Sequence, residues 1–458
     1  MKPQEPLWLD VRHIVTLAAP LVLTQLAQVA VSTTDIVMMG MLGPREIAAG
    51  GLAVALFNQL RTMGAGLVTG TANLVASANA RGDHARVLQL VRASFGLSTF
   101  ISIVFMILMV AVERPLVWLG QDADVARQAA FYLAAVAPGM MPCLWFQSLR
   151  QYTVGLRKPG PLLAITVVSI LVNAMLDYAL MFGRFGLPSL GLTGIAYATS
   201  MVYLFSFLAF LAVTTHQTAL RQHLSLTFWR TDAHVFRETI IMGAPIAATY
   251  GSEAAFFTVL SLMIGTLGAD ALAAHTVVSQ VIYIVFMISV GLSHALSVSV
   301  THACAQRDYR RARRIGYTGL ALGSCVMLII AFPYLAIPGR VLAPFLTQAS
   351  VNNADMMRLA TGLLTIAALT QFFDCGQNIG VGLLRGLGDV RSAFWISLVG
   401  YWMMGMPIAW AAAMLFGRGV YGAWIGLSAG LAATAVMLLA GFKWRLALLE
   451  KQDGIMRL

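Results

Sequence analysis

The stretch AAPLVLTQLAQVAVSTTDIVMMG, residues 18–40, decides the fold. It is apolar for longer than the roughly 20 residues a helix needs to cross a bilayer, and one carboxylate, Asp35, interrupts it. It runs too long for the hydrophobic segment of a cleaved signal peptide. It also has a partner: GAPIAATYGSEAAFF, residues 243–257, repeats its Ala-Pro start 225 residues later and again places one acid in an apolar run, Glu253.

Outward from these two segments the rest of the chain reads the same way. Of 458 residues 59% are hydrophobic and 11% charged, and the mean hydropathy is +0.78. Soluble domains run near 45–50% apolar and about 25% charged, so the excess here belongs against lipid. Apolar spans fall at 14–38, 48–76, 92–112, 129–149, 161–182, 191–214, 239–265, 272–299, 315–337, 358–381, 392–415 and 421–442. The expected fold class is an all-α integral membrane protein of twelve transmembrane helices.

The repeat extends along the chain. At the same offset Leu42-Gly43 matches Leu267-Gly268, Ala48-Ala49 matches Ala273-Ala274, and Asp83 matches Asp308. At an offset of 228, Leu156-Arg157 matches Leu384-Arg385, Gly160 matches Gly388, and Gly191 and Gly194 match Gly419 and Gly422. Six spans per copy is an even number, so both copies cross in the same sense. The expectation is two parallel six-helix bundles, 1–215 and 238–458, joined by a basic amphipathic linker at 216–237 on the cytoplasmic surface. Transporters built from repeats bind their substrates between them near the midplane.

The net charge of +11 does not indicate nucleic acid, because the basic residues sit in short loops and no soluble domain carries a groove. The loops after even-numbered spans hold 16 Lys and Arg, and those after odd-numbered spans 7. Both termini share the basic side, with Lys2, Arg12, Lys443, Arg445, Lys451 and Arg457. That side is read as the cytoplasm, the membrane as the bacterial inner membrane and the protein as a monomer. Cys143, Cys304, Cys325 and Cys375 have neither metal-ligand nor redox spacing and read as small buried hydrophobes.

Four of the nineteen acidic residues fall inside apolar runs: Asp35, Asp177, Glu253 and Asp374. A charge at the centre of the hydrocarbon costs at least about 2.5–3.5 kcal/mol and persists mainly where it faces an interior cavity. Asn173 precedes Asp177 by four residues and shares its helix face. Asp35, Asn173 and Asp177 are therefore placed to form one polar pocket in the first bundle, with Thr199 and Tyr132 adding oxygens. Gln377 and Asn378 share the face of Asp374, which with Glu253 makes a second pocket. The alternative for either is an interhelical hydrogen-bond cluster that only holds a bundle together. No Lys or Arg stands mid-span in the second half, whereas Arg61 lies inside the second span, either paired with an acid or snorkelling.

A buried carboxylate can hold a proton, a sodium ion or a cationic substrate, but not two of these at once. That exclusion is the physical basis of antiport. Met38, Met39, Met41, Met403, Met404 and Met406 offer soft surface to varied ligands or simply pack. Pro20 and Pro245 bend the first and seventh helices; His275 and His294 read as core histidines or, less simply, proton relays. The sequence holds no G-x-S-x-G, no H-E-x-x-H and no Walker lysine. The chain is read as no enzyme and without a cofactor, its transport driven by an ion gradient.

These residues resemble the multidrug and toxic compound extrusion family and its NorM branch, over nearly the whole chain. The resemblance rests on residues 18–43 and 243–257, on LAAHTVV at 272–278 and on FFDCGQNIGVGLLRGLGD at 372–389. It implies two six-helix bundles in a V, with Asp35 as the coupling acid of the first bundle and Asn173, Asp177 and Thr199 as its partners. It implies Glu253 and Asp374 as the cation-site acids of the second, holding Na+ if coupling is to sodium. Phe286 stands where some sodium-dependent relatives carry an aromatic hydroxyl, a departure that weakens sodium against protons. The implied substrates are amphiphilic organic cations. The rival reading is a lipid-linked precursor flippase of the same superfamily, which would typically carry additional helices and a cationic cavity.

Overall fold

The protein is described by a computed structural model covering residues 7–42, 44–118, 123–158, 162–184, 186, 188–222, 224–225, 227–345 and 354–455. Lys2, Gly43, Gly160 and Arg457 of the readings above lie outside the described residues.

Among the described residues twelve long helices follow one another: α1 Leu7–Gly40, α2 Pro44–Ala80, α3 His84–Val110, α4 Ala123–Gly155, α5 Leu162–Phe182 and α6 Gly191–His216. Then come α7 Ala233–Gly265, α8 Ala269–Ala305, α9 Tyr309–Ala336, α10 Ala354–Gly386, α11 Val390–Leu415 and α12 Gly419–Ile455. Eleven are long and apolar enough to cross a membrane. The other, α2, has 37 residues diluted by Gly, Thr, Asn and Ser. No strand occurs among the described residues. In lipid this is the expected solution, since a helix satisfies its own backbone polar groups.

The repeat survives as geometry. Asp83 and Asp308 are the N-caps of α3 and α9, accepting from the backbone N–H of Arg86 at 2.9 Å and of Arg311 at 3.0 Å. Gly191 and Gly419 open α6 and α12 with the same left-handed φ of +55°, a conformation that favours glycine. Three residues on, Gly194 and Gly422 lie so close to the backbones of Leu180 and Ala412 that a Cβ at either would collide.

The chain divides into two compact units, one of residues 1–22 and 249–458, the other of 23–248. This departs from the expected bounds of 1–215 and 238–458. The divisions fall inside α1 and α7, just after Pro20 and Pro245, both of which lie within helices. The start of α1 thus belongs to the unit holding the later helices, where Asp10 pairs with Arg311 at 3.3 Å and Arg314 at 2.5 Å. The start of α7 belongs to the other unit, where Glu238 pairs with Arg86, the residue 225 before Arg311. Pattern reading finds a helix but not which neighbours its two halves choose.

The 216–237 segment packs within the 23–248 unit. The Tyr152 hydroxyl donates to the Leu220 carbonyl at 2.5 Å, and Arg92 donates to the Ser225 hydroxyl at 3.0 Å. Trp229 stays exposed.

Candidate functional site

In the 23–248 unit, α1 carries Asp35, α5 carries Asn173 and Asp177, α6 carries Thr199 and α4 carries Tyr132, all buried. The four-residue spacing of Asn173 and Asp177 sets both on the inward face of α5, as the sequence indicates. The Thr199 hydroxyl is shared between the Ile195 carbonyl at 3.0 Å and Asp35 Oδ2 at 3.4 Å. Asp35 also faces Asp177 and Asn173, and Tyr132 lies beside Thr199 and both carboxylates. Little satisfies this pocket: Asp35 Oδ1, both Asp177 oxygens and both Asn173 amide atoms are buried without a well-formed hydrogen bond. Two carboxylates sharing one pocket repel each other unless a proton or a cation joins them. Met38, Met39, Met140 and Met181 line the surrounding core together with Phe57 and Leu192.

Arg61, on α2, donates to Asn58 Oδ1 at 3.2 Å and lies near Cys143 and Tyr203. Tyr203 stacks on Phe57 and is within electrostatic reach of both Arg61 and Asp35.

In the other unit, Glu253 on α7 and Asp374 on α10 lie within electrostatic reach of each other, both buried. Each carboxylate has a donor. The Tyr401 hydroxyl, from α11, donates to Glu253 Oε1 at 3.0 Å. Asn378 Nδ2 donates to Asp374 Oδ1 at 3.2 Å and to the Asp374 carbonyl at 3.0 Å. Gln377 lies beside Tyr401, and its Oε1 is buried without a hydrogen-bond partner. The donor set is carboxylate, phenol and amide oxygen, suited to a hard cation.

Sequence reasoning singled out the methionines of this span but gave Tyr401 no role. It sits in a π-helical stretch, Val399–Gly405, where an extra residue per turn re-aims side chains. A Cβ at Gly400 would overlap the Thr434 hydroxyl, so only glycine lets this stretch lie so close to α12. Tyr401 is held flat on Phe256, ring centroids 5.1 Å apart at 23°, and Trp402 Nε1 donates to the Ser252 hydroxyl at 3.0 Å. Phe286 stacks on Tyr283. With Phe286 on α8, the phenol at the acid site comes from α11. The signal that could have found it is positional: Tyr401 lies 228 residues after Asn173.

His275 is a core histidine: its Nδ1 accepts from Trp424 Nε1 at 3.2 Å, and its Nε2 meets the Ser261 hydroxyl at 2.9 Å. Met41, Met403 and Met404 are exposed. All four cysteines are free thiols, Cys143 and Cys375 buried, Cys304 half-buried and Cys325 exposed. Among the described residues no group of three or more His, Cys, Asp or Glu could hold a metal ion. Two basic residues counted as loop residues prove to be buried inside helices, Arg150 near the end of α4 and Arg385 near the end of α10. The apolar spans were ended too early there, because each arginine's helix continues past the last apolar run.

A model of the family described as MatE matches residues 20–179 and again 245–411, one copy per repeat. A protein of Pseudomonas aeruginosa described as probable multidrug resistance protein NorM is 35% identical over 446 residues, covering 96% of this chain and 91% of that one. Another of that name, from Bradyrhizobium diazoefficiens, is 36% identical, covering 96% and 95%. Among solved structures, the outward-facing conformation of a multidrug resistance MATE family transporter of the MOP superfamily superposes with a TM-score of 0.87 at 17% identity, covering 96% of this chain and 97% of that one. A MOP superfamily transporter from Pyrococcus furiosus, for which a reversed polarity of the binding pocket is reported to suggest a different function, gives 0.86 at 17%, covering 98% and 100%. At such identities the structures speak for the fold alone.

Proposed function

The chain belongs to the MATE family of multidrug efflux transporters, and from that premise we propose that it is a cation-coupled antiporter exporting amphiphilic organic cations by alternating access. One observation carries this reading. Each unit buries a pair of neighbouring carboxylates, Asp35 with Asp177 and Glu253 with Asp374, and among the described residues no Lys or Arg forms an ion pair with any of the four. Buried acids without a resident counter-charge must take one from what they transport. A proton or sodium ion and a cationic substrate then exclude each other. An inward ion gradient expels the substrate, and one charge moving down 100 mV supplies about 2.3 kcal/mol.

In this reading Asp35 is the coupling acid of the first pocket, with Asp177, Asn173, Thr199 and Tyr132 shaping it. Arg61, one side chain further out beside Tyr203, tunes its field. Glu253 and Asp374 hold the cation of the second pocket, with Tyr401, Gln377 and Asn378 around it. Gln377 Oε1, buried and unclaimed, favours an ion that needs a further oxygen, which is sodium. The basic loops favour both termini on the cytoplasmic side, and the reading puts the protein in the bacterial inner membrane as a monomer.

The test is reconstitution in liposomes with a fluorescent cationic dye, imposing a sodium gradient and a pH gradient in turn. Sodium-driven dye movement lost in Glu253→Gln or Asp374→Asn assigns the coupling ion to the second pocket. Movement driven only by pH and lost in Asp35→Asn assigns it to the first. No dye movement under either gradient contradicts the antiporter reading and promotes the flippase.

A further inference from the structure

Antiport at the acids leaves the guanidinium of Arg61 without a task of its own. Arg61 stands near the middle of α2, where Asn58, Arg61 and Thr62 recur at three- and four-residue spacing and so share one face. All three are half-buried. An arginine at that depth is costly in hydrocarbon and persists where it meets the bundle interior or a cavity. The half-open polar face is therefore one that water or a ligand can reach.

The fold itself does not require a charge here. At the repeat offset of 225, Asn58 and Arg61 correspond to Tyr283 and Phe286. Those two rings stack on each other, centroids 6.2 Å apart at 18°. The position that is aromatic in the second copy is cationic in the first.

The charge also stands in a defined relation to the acids. Arg61 Nε donates to Asn58 Oδ1 at 3.2 Å, a neutral acceptor one turn earlier on its own helix, which holds the guanidinium in place. Tyr203, on α6, is within electrostatic reach of both Arg61 and Asp35 and stacks on Phe57, centroids 6.0 Å apart at 30°. Thr199, which donates to Asp35 Oδ2, precedes Tyr203 by four residues and shares its face of α6. From the acids to the guanidinium is thus about one helical turn, roughly 5 Å along α6, plus the side chains at either end. The first pocket is bipolar: Asp35 and Asp177 at one end, a permanent cation at the other, and Tyr203 in reach of both ends. A ligand that is only cationic is attracted by the acids and repelled by Arg61. A ligand that carries both charges is matched at both ends, and away from bulk water such contacts count for more.

We propose that Arg61 is a specificity residue that takes an anionic group of the substrate, a carboxylate above all, while the substrate's cationic end occupies the Asp35–Asp177 pocket. A guanidinium is suited to this, because it meets a carboxylate through parallel N–H···O bonds. The favoured substrates are then organic cations that also carry a negative group. The proposal rests on reading the first pocket as the substrate site of an exporter.

The experiment is fluorescence anisotropy on the purified protein with a matched pair of probes, an aminoxanthene dye with a free carboxylate and the methyl ester of the same dye. Both keep the cationic ring system, and only the first is a zwitterion. Wild type should hold the carboxylate dye at least about tenfold more tightly than the ester, the worth of one charge-assisted contact. Arg61→Gln should erase that preference, weakening the carboxylate dye and holding the ester at least as tightly as wild type does, because a repelling charge is gone. Arg61→Lys, which keeps the charge and loses the planar fork, should fall between. Asp35→Asn should weaken both dyes. A wild type that binds both dyes without preferring the carboxylate overturns the proposal alone, and that comparison needs no variant. A preference that survives Arg61→Gln overturns it too, as does an equal loss of both dyes in that variant, which would mean packing rather than charge. Should Arg61→Gln not fold, Arg61→Met fills similar volume without a charge, and a preference that survives it overturns the proposal likewise. Neither dye binding wild type, or Asp35→Asn weakening neither, overturns the proposal together with the reading it rests on.

Discussion

The two carboxylate pockets stand on a repeated backbone and yet are not copies of each other. The positions equivalent to Asp35 and Asp177 are Leu260 and Gly405, and those equivalent to Glu253 and Asp374 are Gln28 and Phe146. Only Asn173 and Tyr401 coincide. The degree of satisfaction differs too. Asp177 has neither oxygen well bonded and Asp35 shares one hydroxyl with a helix carbonyl. Glu253 and Asp374 each have a donor of their own. The scaffold was duplicated; the chemistry was placed twice, differently. A pocket whose acids lack donors draws its missing partner from solution, while one whose acids each have a donor holds them in position for a small ion. On the proposed reading, the first pocket, with its coupling acid Asp35, takes its partner from solution, and the second is the preorganised ion site.

The comparison can be broken in graded steps. The largest effect is expected from removing a charge: Asp35→Asn and Asp374→Asn should each reduce gradient-driven dye transport on the order of 100-fold, the upper range of a coupling free energy of a few kcal/mol. If only one of the two does so, a single pocket carries the coupling. Next, Tyr401→Phe removes a hydrogen bond to a charged group, worth about 1.5–3 kcal/mol. Ion affinity measured by competition should fall about 10- to 100-fold, with Asp35-dependent dye binding unchanged.

A sign reversal separates the pockets more sharply. Asp177→Asn removes the one of two facing acids that has neither oxygen well bonded and should raise the thermal midpoint of the purified protein. Tyr401→Phe should lower it. The same sign in both would contradict the difference in satisfaction drawn above. Where the backbone is repeated, the two halves should respond alike. Gly191→Ala and Gly419→Ala, both at φ +55°, should each cost about 1 kcal/mol or somewhat more, measured as matching losses in thermal stability. The smallest effect is expected from Phe286→Tyr, within about twofold of wild type in sodium-driven transport, because Tyr401 already supplies the phenol.

Much of this was legible in the chain. The spans follow from the length of the apolar runs, and the repeat from residues such as Asp83 and Asp308, which the structure shows as matching caps. The grouping of Asp35, Asn173, Asp177 and Thr199, and of Glu253 with Asp374, follows from helix periodicity and the cost of a charge in lipid. What escaped has physical causes. Tyr401 depends on a π-helical shift that periodicity at 3.6 residues does not register. Arg385 and Arg150 look like loop residues because hydropathy cannot tell the end of an apolar run from the end of a helix. The exchange of the starts of α1 and α7 between units depends on tertiary contacts such as Asp10 with Arg311.

The central claim is that the buried acids bind a small cation and an organic cation in competition. Its most direct test is fluorescence anisotropy of a bound cationic dye on purified protein, titrated with sodium at constant ionic strength and then with acid. The account expects at least one of the two cations to displace the dye from wild type, and that displacement to vanish in Asp35→Asn or in Glu253→Gln with Asp374→Asn. Dye binding indifferent to both cations, or equally displaced after the acids are gone, would contradict it.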